Sequence, residues 1–554
     1  MNTVAPQELS IVSGPPLSEE PGLGALTLPG FLREVTTAFA GREALAFPTD
    51  TGVVRWTYTE LWENTIAVAR ALRACGVGKG TRVGVLMTNR PEWITSLFGT
   101  ALAGGVAVTL STFSTAAELD YLLGLSGVSV LLFEQTVLKT DFAAMLTELG
   151  ADRESERYPF LRHSAMIGDA PGFTDWKTFL AHGDEVPREL VEATAAAVAP
   201  SDVAVLFFSS GSTSKPKGIL SAHRGVCIQM WRFRRMYGFT PDDMIRCWAA
   251  NGFFWSGNFA MSLATTFACG GSLVLQPTFI ASEALELMQD ERVNFPFAWP
   301  HQWAQLEAAP NWDTVDLSSV RFVDQRTTVA RHPSVTSVWY EPSHAYGNTE
   351  TFTISACYPA NTPTAVHADS SGEALPGMRL KIVDPVTGVV VPRGERGEIC
   401  VQGPTLMLGY VGVPLDETLD PDGFFPTGDG GYIGDGGRLY WEGRLTEIIK
   451  TGGANVSPLE VDTALAGFPG VKTCKTVGVD HETLGEVVVA CVVAHDGVRL
   501  DGEQIRTYLR ERLASYKVPR HVLFFPADVI EQTGTGKMKT GDFKQLAAQR
   551  LAGD

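Results

Sequence analysis

Small hydroxylated residues and lysines follow the apolar segment 203–208 and have the chemistry of a phosphate-binding loop. The loop comprises Ser209, Ser210, Gly211, Ser212, Thr213 and Ser214, followed by Lys215 and Lys217. Backbone N–H and hydroxyl groups of such a loop can converge on phosphate oxygens, and the lysines add positive charge. It is not a Walker motif, because Pro216 and Gly218 follow the two lysines where that motif continues with Ser or Thr into a helix. The pattern predicts polyphosphate binding, with an ordinary turn after a strand as the alternative.

The elements that must position this loop alternate between helix and strand. Apolar residues at helical spacing predict a helix ending near Cys75-Gly76, and they are Tyr58, Leu61, Trp62, Thr65, Val68, Ala69 and Leu72. A strand is predicted from Arg82 to Met87, Pro91 begins a second helix, and the run 203–208 is predicted to be a strand buried on both faces. This alternation predicts an α/β fold around a largely parallel sheet. The polar, acidic segment 151–199 is predicted to be a surface excursion.

Composition and charge exclude several classes of protein. A chain of 554 residues with 45% apolar residues can bury a large core and should form more than one domain. The formal net charge of -18 argues against nucleic acid or an anionic membrane as the main partner. The eight cysteines have neither zinc-site spacing nor the density of a disulfide framework. No secretory signal or membrane span is predicted, and a cytoplasmic location is expected.

Further segments, in order after the phosphate loop, resemble the adenylate-forming enzymes, which include acyl-CoA synthetases, adenylation domains of peptide synthetases and firefly luciferase. They are AYGNTETF at 345–352, TGD at 427–429, EGRLT at 442–446, KTGGANVSP at 450–458 and TGTGKMK at 533–539. One departure is Ser214, which stands where the family commonly has glycine. The resemblance implies a flexible tail at 1–24 and a large N-terminal domain, 25–445, of parallel-sheet βα subdomains plus a β-rich subdomain. A small mobile α+β domain would follow at 446–554.

The same resemblance assigns most of these segments to ATP and magnesium. It implies that Tyr346 packs on adenine, that Thr349 contacts phosphate and that Glu350 holds Mg2+. One carboxylate completed by ATP oxygens and water is a normal magnesium environment. Asp429 matches the family's ribose-binding aspartate, and Arg444 matches its arginine to ribose and phosphate. The predicted ATP-binding residues are Ser209, Ser210, Gly211, Ser212, Thr213, Lys217, Tyr346, Gly347, Asn348, Thr349, Asp429 and Arg444.

The C-terminal segments are implied to serve catalysis and domain movement. Lys537, preferred over Lys539, matches the family's adenylation lysine and is predicted to be catalytic together with Glu350. Thr446 falls at the family's hinge, where Asp or Lys is usual. The CoA-binding residues are predicted to be Lys450, Gly452 and Gly453, because glycines let the backbone pass beside an extended pantetheine arm.

The acyl pocket is predicted from an aromatic cluster and one arginine. Its members are Phe254, Trp255, Phe259, Arg326 and Phe352. Buried aromatic residues are more often core, so the pocket assignment rests on their place in the family order. Arg326 has an equally simple interpretation as the partner of Asp324 in a surface ion pair. The aromatic surface predicts a bulky aryl, alicyclic or medium-chain acid, since burial of apolar area stabilises such a ligand.

The expected activity is ATP-dependent ligation of a carboxylic acid to CoA in two steps. The acid would first form acyl-AMP and pyrophosphate, and a thiol would then displace AMP. ATP, Mg2+ and CoA are the implied cofactors and substrates, and a monomer or homodimer is expected. A CoA ligase is favoured because the chain ends soon after Lys537 without a carrier domain. A stand-alone enzyme that loads a separate carrier protein is the alternative, and a non-catalytic nucleotide-binding relative is the third hypothesis.

Overall fold

A computed structural model describes most of the chain as a large domain followed by a small one. The described residues are 8–152, 156–209, 215–342, 345–367, 370–445, 449–456, 458–495, 497–526 and 540–553. The mixed α/β fold agrees with the predicted fold class.

Within the described residues, short strands make up four main sheets and one small hairpin. In chain order the strands are β1 Ile11–Ser13, β2 Glu43–Thr49, β3 Gly52–Thr57, β4 Arg82–Leu86, β5 Val106–Thr109, β6 Val130–Glu134, β7 Thr136–Val137, β8 Thr140–Asp141, β9 His163–Ile167, β10 Thr174–Asp175, β11 Val203–Ser209, β12 Lys217–Ala222, β13 Arg246–Ala249, β14 Ser272–Val274, β15 Phe295–Phe297, β16 Arg379–Val383, β17 Gly397–Gln402, β18 Gly409–Tyr410, β19 Phe425–Ile433, β20 Leu439–Arg444, β21 Ile449–Thr451, β22 Ala454–Val456, β23 Val471–His481, β24 Gly485–Ala494 and β25 His521–Phe524.

Helices cover the sheets and connect their strands. In chain order they are α1 Leu28–Ala38, α2 Tyr58–Ala74, α3 Pro91–Leu102, α4 Ala116–Ser126, α5 Phe142–Leu149, α6 Trp176–Ala181, α7 Arg188–Ala197, α8 His223–Met236, α9 Ser256–Asn258, α10 Thr265–Ala268, α11 Ala281–Asp290, α12 Pro300–Glu307, α13 Thr364–His367, α14 Pro458–Ala466, α15 Gly502–Arg510 and α16 Thr540–Gly553. The helix from Tyr58 and the helix opened by Pro91 lie where the sequence predicts them.

The phosphate loop connects two strands near one edge of an eight-stranded sheet. The strand order is β10-β9-β6-β4-β5-β11-β12-β18. Strands from β10 to β11 run parallel, and β12 returns antiparallel to β11 with Ser209 opposite Lys217. At its other edge β12 pairs with β18, where Ile219 lies opposite Tyr410. The parallel part of the sheet agrees with the prediction, and the antiparallel return sets the two ends of the loop side by side.

Two five-stranded sheets complete the large domain. One has the order β15-β13-β14-β2-β3 and is parallel except for its last pair. The other, β1-β16-β17-β19-β20, is antiparallel throughout and corresponds to the predicted β-rich subdomain. Its last two strands carry Asp429 and Arg444 opposite each other.

The small domain is one sheet covered on both faces. Its strands lie in the order β22-β21-β24-β23, and β25 pairs parallel with β24. Val488, Ala490 and Val492 of β24 pack on one side with residues of α14 and α15, whereas Val487, Val489 and Cys491 pack on the other side with residues of α16. The alternation of buried residues along β24 follows from the two-residue period of a strand.

Two segments differ from their sequence predictions. Residues 8–24 are not a loose tail, because β1 pairs with β16 and Glu20 binds Arg232 in a fully buried ion pair at 2.6 Å. Residues 156–199 are not only a surface excursion, because β9 extends the central sheet and Phe179 and Val191 are buried in the core. The polar composition of both segments gives no indication of the few side chains that are buried and anchor them to the domain. Among the described helices, none combines the length and hydropathy needed to cross a bilayer.

Candidate active site

The two ends of the phosphate loop present a buried hydroxyl and a lysine. Buried apolar residues form β11, and Ser209 ends it with an Oγ that is buried without a hydrogen-bond partner among the described residues. On β12 the ammonium of Lys217 lies 4.7 Å from the centroid of the Tyr410 ring. A buried hydroxyl that lacks a partner beside a cation is suited to an anionic ligand, because its desolvation is otherwise uncompensated.

Glu350 is held next to Lys217 by the same tyrosine. The Tyr410 hydroxyl donates to Glu350 Oε1 at 2.7 Å, and the Met407 N–H donates to the Glu350 carbonyl at 2.7 Å. Glu350 lies in the 3-10 turn Thr349–Thr351, and Asn348 caps that turn by accepting from the Thr351 N–H at 2.9 Å. Only 9% of Glu350 is exposed, so its carboxylate keeps a fixed position.

The backbone around this turn is crowded and strained. A Cβ on Gly347 would lie 1.6 Å from the carbonyl oxygen of Thr353, so no other residue fits there without a backbone shift. Phe352 and Thr353 have φ of 49° and 92°, a region that costs a non-glycine residue roughly 1–3 kcal/mol. Gln229 of α8 offsets part of that cost, because its buried amide donates to the Ile354 carbonyl at 2.7 Å.

Tyr346 and Asp429 meet on the adjoining β-rich sheet. The Tyr346 hydroxyl lies 3.0 Å from both Asp429 Oδ2 and Thr427 Oγ1. The Thr427 hydroxyl in turn donates to the Ile399 carbonyl at 2.7 Å. Asp429 is 4% exposed and stands opposite Arg444 in the β19-β20 register. The predicted adenine residue therefore contacts the predicted ribose residue directly, although the side chain of Arg444 is outside what the structure describes.

The polar atoms of this region fit a nucleotide with magnesium. Besides Ser209 Oγ, the buried Asn348 Nδ2 and Thr353 Oγ1 lack hydrogen-bond partners among the described residues. No described group of three His, Cys, Asp or Glu side chains could hold a metal ion unaided. A single buried carboxylate, Glu350, suits Mg2+ whose other ligands are phosphate oxygens and water.

The predicted acyl residues divide between the core and a cleft. Phe259 and Phe352 are fully buried, with ring centroids 6.0 Å apart, and both pack on Phe207. Trp255 is only half-buried, stacks on Phe113 at 5.9 Å and meets Tyr516 of the small domain edge-on at 6.2 Å. A narrow cleft of about 60 Å3 joins these elements and is lined by Ser209, Phe254, Trp255, Ala514, Tyr516 and Lys517, among others.

Amide side chains fix the start of the aromatic segment. Asn89 donates to the Asn251 carbonyl at 2.7 Å and accepts from the Phe253 N–H at 3.0 Å. Gln302 of α12 exchanges hydrogen bonds with the Asn251 amide and accepts from the Trp299 N–H. Buried and mutually satisfied amides of this kind orient backbone without taking part in chemistry.

Arg326 is paired with Asp324, as the simpler interpretation of the sequence proposed. Its Nε and Nη2 donate to the two carboxylate oxygens at 2.8 and 2.6 Å, and 59% of the arginine side chain is exposed. Burial opposes ionisation of Asp324, yet hydrogen bonds from Arg326 outweigh it and lower the pKa of Asp324. Nearby, burial and the Asp324 charge raise the pKa of Glu341 to about 7.

The predicted CoA-binding residues lie against the large domain. Gly452 and Gly453 form the β21-β22 turn with φ of 56° and 79°. A Cβ on Gly453 would come within 2.6 Å of the Trp299 indole, so this close approach requires glycine. The ammonium of Lys450 lies 3.3 Å from the centroid of the Trp441 ring in a cation–π contact.

Family models match both domains. Residues 32–411 match the AMP-binding enzyme model, and residues 460–537 match the model of the AMP-binding enzyme C-terminal domain. The chain belongs to the AMP-binding enzyme family.

Similar proteins of this family cover nearly the whole chain. The 3-[(3aS,4S,7aS)-7a-methyl-1,5-dioxo-octahydro-1H-inden-4-yl]propanoyl:CoA ligase of Rhodococcus jostii (strain RHA1) is 32% identical over 524 residues, 92% of this chain and 97% of that enzyme. Feruloyl-CoA synthase of Amycolatopsis sp is 32% identical over 88% of this chain and 93% of its own length. The amide bond synthetase McbA of Marinactinospora thermotolerans has a similar structure, with a TM-score of 0.74, 26% identity and coverage of 93% and 99%. These comparisons confirm the predicted fold class and the predicted class of AMP-forming acid–thiol ligase.

Some predicted site residues lie outside the described part of the chain. They are Ser210, Gly211, Ser212, Thr213, the hinge residue Thr446 and the catalytic candidate Lys537. Their assignments stay predictions, as do the roles of the described candidates.

Sequence reasoning missed residues that position the predicted ones. Tyr410 contacts both Lys217 and Glu350, and Gln229 supports the strained turn, yet neither belongs to a segment that was assigned a role in the site. Tyr410 lies in the short strand β18, and no motif around it in the sequence indicates these contacts. A contact between distant strands leaves no local spacing pattern.

Proposed function

We propose that this protein is an ATP-dependent ligase that joins a bulky hydrophobic carboxylic acid to CoA through an acyl-adenylate. The observation that carries the proposal is the pairing of predicted nucleotide residues, in which Tyr346 bonds to Asp429 while Tyr410 joins Glu350 to Lys217. A carboxylate is a poor electrophile, and transfer to AMP supplies a good leaving group.

In the first step the acid oxygen would attack the α-phosphorus and displace pyrophosphate. Asp429 would accept hydrogen bonds from the ribose hydroxyls, while Lys217 and the Ser209 hydroxyl would bind phosphate oxygens. Glu350 would hold Mg2+, which neutralises phosphate charge when bound. Lys537 would stabilise the charge that develops at phosphorus.

In the second step a thiol would displace AMP after the small domain turns about Thr446. Gly452 and Gly453 would then face the passage taken by the pantetheine arm, supported by the approach of Gly453 to Trp299. We propose CoA as the thiol, in accord with the two related CoA ligases. A carrier-protein thiol is the alternative acceptor. Because one structural relative is an amide bond synthetase, an amine should also be tested as an acceptor.

A bulky acid is favoured by the aromatic surroundings of the cleft. Phe254 and Trp255 line the cleft beside Ser209 at the end of β11. Two relatives are named for a ring-bearing propanoate and for feruloyl-CoA. Arg326 would contact a polar group at the far end of the acid through Nη1, which makes no hydrogen bond within the described residues. We further propose that the enzyme works in the cytoplasm as a monomer or homodimer.

A panel of carboxylic acids scored by pyrophosphate release tests the proposal. Aryl, alicyclic and medium-chain acids should outperform acetate and standard amino acids, and Trp255→Ala should change the preference for acid length. Preference for acetate or an amino acid would contradict the substrate class. Product analysis with CoA, a phosphopantetheinylated carrier and an amine then identifies the acceptor.

A further inference from the structure

The carboxylate of Glu118 in the large domain both caps a helix and binds the small domain. Glu118 occupies the third position of α4, and its Oε2 accepts from the Thr115 N–H at 3.0 Å in a capping box. Its Oε1 accepts from the Ala514 N–H at 2.9 Å and from Lys517 Nζ at 3.1 Å. The two oxygens thus divide between the two domains.

The contact is buried and links three charges. Lys517 is 4% exposed and also binds Glu460 of the small domain at 2.8 Å. Burial disfavours the ammonium, but Tyr516, Glu460 and Glu118 together hold the pKa of Lys517 above its usual value. Loss of Glu118 would leave Lys517 paired with Glu460 alone and would leave the Ala514 N–H without its acceptor, so the contact between the domains should weaken.

Other contacts between the two domains accompany this ion pair, one of them at the turn Gly452–Gly453. Tyr516 meets Trp255 at 6.2 Å, and Gly453 lies against Trp299. The turn Gly452–Gly453 and the ion pair of Lys517 with Glu118 therefore both contact the large domain when the two domains are arranged as in this structure. Given the proposed function, this is the arrangement in which the glycines face the thiol passage.

We propose that Glu118 is a positioning residue that stabilises the thiol-accepting arrangement by binding Ala514 and Lys517. The proposal rests on the two-step function proposed above. Rotation of the small domain for adenylation would break this contact, so Glu118 favours one of two states and shifts their populations. Its loss should slow thioester formation without slowing adenylation.

A matched capping residue allows the docking role to be separated from helix capping. Glu60 caps α2 in the same way, with Thr57 N–H donating to its carboxylate at 2.7 Å, and it is exposed. Glu118→Ala and Glu60→Ala each remove one capping box, but only the first removes a contact to the small domain.

The test measures the two half-reactions separately on the full-length enzyme. Acid-dependent pyrophosphate release should be unchanged or faster in Glu118→Ala, while thioester formation from supplied acyl-adenylate and CoA should fall about tenfold or more. Glu60→Ala should leave both rates unchanged. In a Lys517→Met background the further effect of Glu118→Ala should be much smaller, because the pair is already broken.

Two outcomes would overturn the inference. Equal losses in both half-reactions would show a structural role, and an unchanged thioester rate in Glu118→Ala would show no role in docking. Glu118→Gln provides the same comparison if the alanine variant does not fold. Failure of the proposed function is distinct, since the native enzyme would then release no pyrophosphate with any acid.

Discussion

The nucleotide region and the acyl region of this enzyme are built in different ways. In the nucleotide region, Tyr346 and Asp429 share hydrogen bonds, and Tyr410 joins Glu350 to Lys217. In the acyl region, Phe259 is a core residue, Trp255 lies at the domain contact, and Arg326 is an exposed partner of Asp324. The predicted nucleotide residues are held by buried polar contacts, whereas the predicted acyl residues are divided among separate packing environments.

This difference predicts how substitutions behave. A polar network of buried groups loses function steeply when one member is removed, because the remaining members are left unsatisfied. Apolar surfaces tolerate substitution better and change preference by smaller factors.

The largest effect is expected at Glu350. Glu350→Gln keeps the size of the side chain but removes the charge that would hold Mg2+, so pyrophosphate release should fall about a hundredfold or more. The exposed Glu373→Gln, which changes charge equally, is the control. Near-native adenylation by Glu350→Gln would show that this carboxylate does not hold the magnesium ion.

Asp429 should affect ATP use without affecting the acid. Asp429→Asn weakens acceptance from the ribose hydroxyls, and the KM for ATP should rise about tenfold, the cost of one hydrogen bond to a charged group. The KM for the acid should stay near its native value in steady-state assays. Equal rises in both constants would indicate general disruption of the β-rich sheet.

A smaller effect is expected at Tyr410, which sequence reasoning missed. Tyr410→Phe keeps the ring beside Lys217 but removes the 2.7 Å bond to Glu350, so adenylation should slow by about threefold to tenfold. Tyr432→Phe, on β19 of the β-rich sheet, should have no effect and serves as control. A Tyr410→Phe enzyme with native rates would make the contact incidental.

The smallest effect is expected at Glu341, near Arg326, and it concerns how the free energy of unfolding depends on pH. Because the pKa of Glu341 rises from 4.5 to about 7 on folding, the folded chain keeps a proton that the unfolded chain loses between these values. Stability therefore falls as pH rises through this window. Relative to Glu341→Gln, which has no proton to lose, the native enzyme should lose stability from pH 4.5 to 7 in chemical denaturation. Parallel pH profiles would contradict the shift.

Local patterns predicted the elements and the nucleotide segments, but not the contacts between them. The helix at Tyr58 and the strand ending at Ser209 have strong periodicity or a continuous apolar run, so the sequence was sufficient. The buried Glu20 and the strand β9 depend on partners far along the chain, and their polar surroundings gave no signal. For the same reason Glu118 was indistinguishable from an ordinary capping residue.

The proposed first step is attack of the acid on the α-phosphorus of ATP, and isotopic labelling follows the bond that this attack forms. The native enzyme is supplied with an acid carrying heavy oxygen in its carboxylate, together with MgATP and CoA. If acyl-AMP forms and the thiol displaces AMP, mass spectrometry will find one labelled oxygen in AMP and none in pyrophosphate. Label in inorganic phosphate with formation of ADP, or unlabelled AMP, would contradict the account.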